Sequence, residues 1–381
     1  LDIRRPVVQG RLKTKAQIMK ITRSYFDDLG FTEVETPILN LATPEGARDY
    51  LVPSRVKNGS FYALPQSPQL FKQLLMIGGM EKYYQIARCF RDEDLRADRQ
   101  PEFSQIDVET SFFSQDDILS MTEGLLARYF KEILNIDIEL PLRRIDFWDA
   151  MDKYGSDKPD TRFGLELQDV TETMKKTSFE AFASTPYIKA IVVHDYADKA
   201  TRKVLDGLVG EAKKFRLNGL TAIKVVNGDL DSSFLKFMDE AVQKELIEKL
   251  NLVDNDYVLI GAHAERRIVC TALGALRSKL ARELGLIKDG TYDLLWIINF
   301  PMFDKVEDQP GVYTAEHHPF TRPRDEDLKY LDSDPERVLA YAYDIVINGY
   351  EAGGGTLRIY DHDTQWKIFR LLGLSEEDVA R

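Results

Sequence analysis

The run Arg88-Cys89-Phe90-Arg91-Asp92-Glu93, followed by Arg96, Arg99 and Gln100-Pro101-Glu102-Phe103, concentrates groups suited to a phosphate. A fixed arginine grips phosphate through a planar fork of donors. A downstream aromatic, Phe103, offers a face on which a base can stack. The plain alternative is a charged, solvated hairpin, with Phe103 a core aromatic. Asp344 and Glu351 stand seven apart. If the segment between them is helical, two turns place them on one side, where hard oxygen ligands suit Mg2+. Acidic pairs at that spacing also arise by chance. Gln105, Asp107 and Glu109 alternate along an expected strand and share one face, which is either functional or simply turned to solvent. The adjacent His317 and His318 precede Pro319 and read, by themselves, as an exposed turn. With five histidines and no Cys/His cluster, a zinc site is not expected.

The elements that must position these residues are legible in outline. A helix is expected from Arg11 to Leu29, with Ile18, Ile21, Tyr25 and Phe26 at helical spacing and Gly30 at its C-terminal cap. The stretch from Phe31 to Thr36 alternates like a strand and stops at Pro37. Short strands and turns follow to about Glu109. A second helix is expected from Asp116 to Leu134, with Ser114 or Asp116 as N-cap. Near Arg162 the character changes, and the segment 162–270 reads as an inserted module containing the turn Val226-Asn227-Gly228-Asp229. After Cys270 a helix with Leu273, Leu276 and Leu280 leads to the apolar strand Leu294-Leu295-Trp296-Ile297-Ile298-Asn299-Phe300. The expected organisation is therefore a core in two parts, 1–161 and 271–381, interrupted at 162–270. Strands in runs favour an α+β fold, an antiparallel sheet flanked by helices with an inserted α+β domain. Gly353-Gly354-Gly355 leads into an expected strand, Thr356 to Tyr360, so it lacks the context of a phosphate-cradling loop.

Bulk properties set limits. The 381 residues are 44% hydrophobic and 30% charged, enough for a large core. No run of about 18 apolar residues suggests a membrane helix. A net charge of −12 argues against a protein devoted to coating nucleic acid, but not against an enzyme that meets it through one patch. Cys89 and Cys270 read as reduced thiols of a cytosolic protein. The first residue is Leu, without a signal-peptide core after it, which reads as a start inside a longer protein or after processing.

Three sets of residues carry a resemblance. Gly30-Phe31-Thr32-Glu33-Val34-Glu35-Thr36-Pro37 resembles motif 1 of the class II aminoacyl-tRNA synthetases, an interface element between two subunits. The 88–103 run resembles their motif 2, Phe-Arg-x-Glu followed by a loop and an aromatic. Ala42-Thr43-Pro44-Glu45-Gly46-Ala47-Arg48-Asp49-Tyr50 and Gln66-Ser67-Pro68-Gln69-Leu70-Phe71-Lys72-Gln73 resemble substrate-binding segments of the bacterial-type aspartyl-tRNA synthetases. So do His317-His318-Pro319-Phe320 and Gly353-Gly354-Gly355-Thr356-Leu357-Arg358. The segment after Gly155-Ser156-Asp157-Lys158-Pro159-Asp160 sits where bacterial members carry an extra domain. The family also has an N-terminal anticodon-binding domain and a C-terminal motif 3, which the resemblance leads one to expect outside the stretch 1–381.

The resemblance implies activation of L-aspartate by ATP to aspartyl-adenylate, then transfer to the 3′ end of tRNA-Asp, with tRNA-Asn left open. It implies Mg2+, a homodimer and no membrane. Arg91 is implied as the catalytic residue, bridging the aspartate carboxylate and the α-phosphate. Glu45, Gln69, Lys72, Asp107, His317, His318 and Arg358 are implied around aspartate, with Asp107 toward the ammonium and Lys72 and Arg358 toward the side-chain carboxylate. Asp92, Glu93, Gln100, Phe103 and Glu351 are implied around ATP, with Asp344 and Glu351 toward the metal. Two fixed cations would reject asparagine, because an uncharged amide leaves them uncompensated. Without its flanking glutamines, Lys72 would read as a solvated helix lysine. A charging-deficient binding or regulatory paralogue and an asparagine-forming enzyme are the rival functions.

Overall fold

The computed structural model describes residues 2–42, 46–95, 99–306 and 311–379. They form two compact units, Leu1–Pro141 and Leu142–Arg381. Among the described residues no helix is long and apolar enough to cross a membrane.

In the first unit, helix α1 spans Pro6–Asp28. It begins earlier than Arg11 because Pro6 fits the first helical position, where its missing N–H removes no bond. Gly30, at φ +73°, turns the chain out of the helix. Of the alternating stretch after it, only β1 (Thr32–Glu33) pairs, parallel to β4. A small hairpin, β2 (Leu51–Pro53) and β3 (Phe61–Ala63), precedes α2 (Gln69–Ile77). The long antiparallel ribbon of β4 (Lys82–Phe90) and β5 (Glu102–Thr110) pairs from Lys82 opposite Thr110 to Phe90 opposite Glu102. Helix α3 (Gln115–Tyr129) starts at Ser114, whose hydroxyl accepts the Asp117 N–H while the Asp117 carboxylate accepts the Ser114 N–H. This reciprocal pair makes Ser114 the cap. A π-helical turn, Phe130–Leu134, completes the expected span. Phe26, Phe31, Tyr84 and Leu125 form a core cluster, with Phe26 and Tyr84 stacked at 4.8 Å.

In the second unit, β6 (Arg143–Asp146) runs into α4 (Phe147–Tyr154). Next come β7 (Gln168–Asp169), the single turns α5 (Thr171–Met174) and α6 (Glu180–Ala183), and β8 (Tyr187–Val193). Then follow α7 (Arg202–Lys213), the hairpin of β9 (Thr221–Val226) and β10 (Asp229–Asp231), α8 (Glu240–Leu250) and β11 (Tyr257–His263). These strands make a five-stranded sheet, β10-β9-β11-β8-β7, antiparallel throughout. Both its faces are covered. Ile191 and Val193 point into one core cluster, while Ile188, Ala190 and Val192 point into another, as the two-residue period requires.

Helix α9 (Arg266–Glu283) encloses Cys270 in its second turn. It packs against β8, β11, α4 and α7, and its Leu273, Leu276 and Leu280 join a core shared with Leu295 and Ile297 of β12 (Leu294–Ile298). The hairpin β13 (Phe303–Lys305)/β14 (Tyr313–Ala315), the hairpin β15 (Ala342–Ile347)/β16 (Tyr350–Thr356) and α10 (His362–Leu371) complete the unit. The second sheet is ordered β16-β15-β12-β6, antiparallel except for the parallel pair β12/β6.

Two contacts fix this unit internally. A Cβ on Gly155 would lie 2.5 Å from the Gly274 Cα, and one on Gly274 would lie 2.3 Å from the Gly155 carbonyl oxygen. The backbones at the end of α4 and the middle of α9 therefore touch. One turn on, the buried Arg277 guanidinium donates to the carbonyls of Asp160, Phe163 and Gly164 at 2.9–3.1 Å and stacks on Phe163.

Candidate active site

The β4/β5 ribbon places the first group. Arg91 follows β4 and its N–H donates to the Pro101 carbonyl at 2.9 Å, which closes the ribbon. Its guanidinium lies over the Phe103 ring, 5.2 Å from the centroid. Both side chains are half-buried. Asp92 bridges to Arg48 by its backbone N–H at 3.0 Å and by a 3.7 Å ion pair. Glu93 pairs with Arg99 at 3.3 Å, and Gln100 is exposed. Glu45 and Arg96 lie outside the described residues.

Below Arg91, the inward positions of β5 meet α2. Lys72 is 8% exposed and places its ammonium 2.7 Å from Asp107 and 3.3 Å from Glu109. The strand period puts both carboxylates on the same face, together with Gln105, which accepts from the Cys89 thiol. The second carboxylate oxygen of Asp107 is buried without a hydrogen-bond partner. Burial, then the charge of Asp107, raises the Tyr83 phenol, so it stays a neutral donor. Gln69 opens α2 one turn before Lys72.

The second unit carries the remaining residues. Asp344 and Glu351 are not on one helix. They belong to the β15/β16 hairpin, where Asp344 faces Gly354 and Glu351 faces Val346 across a register shift. Asn348 and Gly349 turn the chain at φ +52° and +84°, which a helix would not allow. Nor do the three glycines precede a strand; they lie within β16. Their role is local. A Cβ on Gly354 would lie 2.2 Å from an Asp344 carboxylate oxygen, and one on Gly355 2.7 Å from the Tyr343 ring.

Burial, followed by the charges of Glu351 and Asp157, pushes the Asp344 carboxyl up to about 8, and Lys158 offsets this in part. Among the described residues no group of three or more His, Cys, Asp or Glu is placed to hold a metal ion. A carboxylate pair in need of positive charge nonetheless fits Mg2+, which binds through one or two carboxylates and completes its shell with water and phosphate oxygens.

His317 packs edge-on to Phe300 at 4.7 Å, and burial lowers its imidazole, so it is neutral. Its Nδ1 is buried with no hydrogen-bond partner. His318 turns to Arg358, whose Nη1 lies 2.5 Å from its Nε2 and 3.0 Å from its Nδ1, and its Nε2 meets the Thr356 hydroxyl at 3.0 Å. Arginine only donates, so the ring nitrogen facing it carries a lone pair.

Three residues quoted only as members of matching segments gain a place, and so does Glu316, which lies in none of those segments. Gln66 is buried and bonded to Ala47 and Asp49. Asp157 acts electrostatically on Asp344, His317 and Glu316 alike. Lys158 lies 4.0 Å from Glu351. Glu316, beside His317, is held by Arg267 at 3.0 Å. The acidic cluster that Asp157 joins was not readable from spacing, because its members come from segments far apart in the chain.

Known proteins resemble this chain along its whole length. The family model described as tRNA synthetases class II (D, K and N) matches residues 1–381. An aspartate–tRNA ligase of Lysinibacillus sphaericus is 51% identical over 382 residues, covering 99% of this chain and 64% of that protein. An aspartate–tRNA(Asp/Asn) ligase of Anoxybacillus flavithermus is 51% identical over 381 residues, with the same coverage. An aspartate–tRNA ligase of Streptococcus pneumoniae is 50% identical over 378 residues. The chain thus spans somewhat less than two thirds of the length of these relatives. It belongs to the class II tRNA synthetases of the D, K and N group.

Proposed function

We propose that this chain is the catalytic body of an aspartate–tRNA ligase, which activates L-aspartate with ATP and transfers it to the 3′ end of tRNA-Asp. The observation that carries this reading is the pairing of Lys72 with Asp107. A buried ammonium and a buried carboxylate oxygen with an unused lone pair stand together, complementary to an amino acid bearing both a carboxylate and an ammonium. Asp107 takes the substrate ammonium and Lys72 its side-chain carboxylate. Arg358, oriented by His318, supplies the second cation, and Gln69, Glu45 and His317 complete the contacts with aspartate.

Arg91 holds the aspartate α-carboxylate and the α-phosphate in line. Its fixed charge counts most where negative charge builds on the phosphoryl oxygens. No protein nucleophile is needed, and the rate comes from positioning. Phe103 offers its face to adenine, while Asp92, Glu93 and Gln100 line the ATP side. Asp344 and Glu351 would hold Mg2+, which neutralises phosphate charge when bound. The five-stranded sheet of the second unit belongs to an inserted module within 162–270. The working protein is a cytoplasmic homodimer, joined through the segment from Gly30 to Pro37.

Aspartate-dependent ATP–pyrophosphate exchange by the full protein, with asparagine as control, tests the reading. Exchange with aspartate alone is expected. Equal exchange with asparagine, or none with either, would overturn it. The name of the Anoxybacillus relative favours a second reading, in which tRNA-Asn is charged as well. Aspartylation of purified tRNA-Asn would decide between the two.

A further inference from the structure

The Gln66 side chain makes a two-way backbone pairing. Its Oε1 accepts the Ala47 N–H at 3.1 Å and its Nε2 donates to the Ala47 carbonyl at 2.9 Å. The same Nε2 donates to the Asp49 carboxylate at 2.5 Å. The residue is 1% exposed. Its own carbonyl accepts from the Arg91 Nε at a long 3.4 Å. On the other side of the same segment, the Arg48 carbonyl accepts the Asp92 N–H at 3.0 Å.

A primary amide carries a donor and an acceptor side by side, like a peptide group. Gln66 therefore serves segment 47–49 as a missing strand neighbour. Two hydrogen bonds to the Ala47 backbone and one to the Asp49 carboxylate hold the half-buried segment where the amide is. Two neighbouring ties, Gln66 carbonyl to Arg91 and Asp92 to Arg48, place this segment in the frame of the phosphate-binding arginine.

We propose that Gln66 is a positioning residue for amino-acid binding. It clamps residues 47–49 in register with Arg91. The proposal rests on the aspartate-activating reading of the site. It assigns Gln66 no contact with substrate. The clamp requires an amide. Glutamate in its place offers no donor and sets a second carboxylate against Asp49 and the Ala47 carbonyl. Methionine, of similar length, offers neither partner.

The test compares the full protein with its Gln66→Met and Gln66→Glu variants. Amide hydrogen exchange at Ala47 reads the clamp. Pyrophosphate exchange, with aspartate and ATP varied separately, reads its effect. In both variants Ala47 should lose protection and the aspartate KM should rise roughly tenfold or more, while the ATP KM stays within about twofold. Glutamate should be the more severe. Lost protection with an unchanged aspartate KM overturns the role of Gln66. So does an equal rise of both KM values, or a fall in kcat alone in step with lost folded protein. If the unaltered protein shows no aspartate-dependent exchange, the reading of the site fails, and with it the role built on that reading. Unchanged Ala47 protection in both variants refutes the clamp independently.

Discussion

Asp107 meets the Lys72 ammonium with one carboxylate oxygen at 2.7 Å and keeps the other buried without a partner. The lysine is thus already neutralised by Asp107 and Glu109. On the proposed reading, its part in choosing aspartate comes from redistributing an existing charge set when the ligand enters, not from a bare cation waiting for one. Removing Lys72 leaves two carboxylates facing each other in a buried place. Lys72→Met should destabilise the fold by about 3 kcal/mol and lower kcat/KM for aspartate by roughly two orders of magnitude or more. Adding Asp107→Asn should recover part of the stability. Strictly additive losses in urea unfolding would show that the two residues do not act as a pair.

Arg91 is anchored through its backbone to Pro101, so its side chain is dispensable to the ribbon. Arg91→Ala should lower adenylate formation by about 100-fold or more and leave the thermal midpoint nearly unchanged. Exchange at the parental rate would remove Arg91 from the chemistry.

The pH dependence of folding has an identifiable contributor in Asp160. Burial alone would push its carboxyl up. Hydrogen bonds from the Arg162 guanidinium at 2.7 and 2.9 Å and from its N–H at 3.1 Å outweigh burial and hold the carboxyl below its usual range. A carboxyl depressed in the folded state stabilises above its unfolded pKa, near 4, and loses that effect as pH falls through the folded value. Asp160→Asn should therefore cost about 1–2 kcal/mol at pH 7 and progressively less below pH 4. Urea unfolding at several pH values gives the difference, and a gap that widens in acid would contradict the assignment.

Gly354 separates function from stability. Its backbone accepts an L residue without strain, since it is absent from the positive-φ positions. A Cβ there displaces the Asp344 carboxylate. Gly354→Ala should raise the ATP KM roughly tenfold and increase the Mg2+ requirement, while shifting the thermal midpoint by only a few degrees. Normal ATP kinetics in a folded variant would mean that Asp344 does not serve the phosphates.

What the sequence makes legible here is what lies close together along the chain. Arg91 and Phe103 share one ribbon, and the cap at Ser114 is encoded within four residues. The helical placement of Asp344 and Glu351 fails on a signal that was present. Tyr343 to Ile347 is a β-rich run, and Asn348-Gly349 is a hairpin turn rather than a helix interior. Among the described residues, the alternating run from Phe31 to Thr36 pairs over only two positions, both on β4. The pairing of Lys72 with Asp107 spans 35 residues, and that of Arg358 with His318 spans 40. Periodicity carries no information about such distances, and only the folded chain brings these residues together.

The backbone contact between Gly155 and Gly274 has a consequence for how this chain tolerates change in length. The chain departs at one glycine and, more than a hundred residues later, returns to touch it. The excursion has almost no net displacement. Loops between those two points can change in length without shifting the residues on either side, provided the two glycines still meet and β8 and β11 keep their packing on α9. The junction works as a docking port for the two ends of the excursion, and α9 carries on from it into the core it shares with β8 and β11. A side chain at either glycine would damage the port itself, not the material plugged into it.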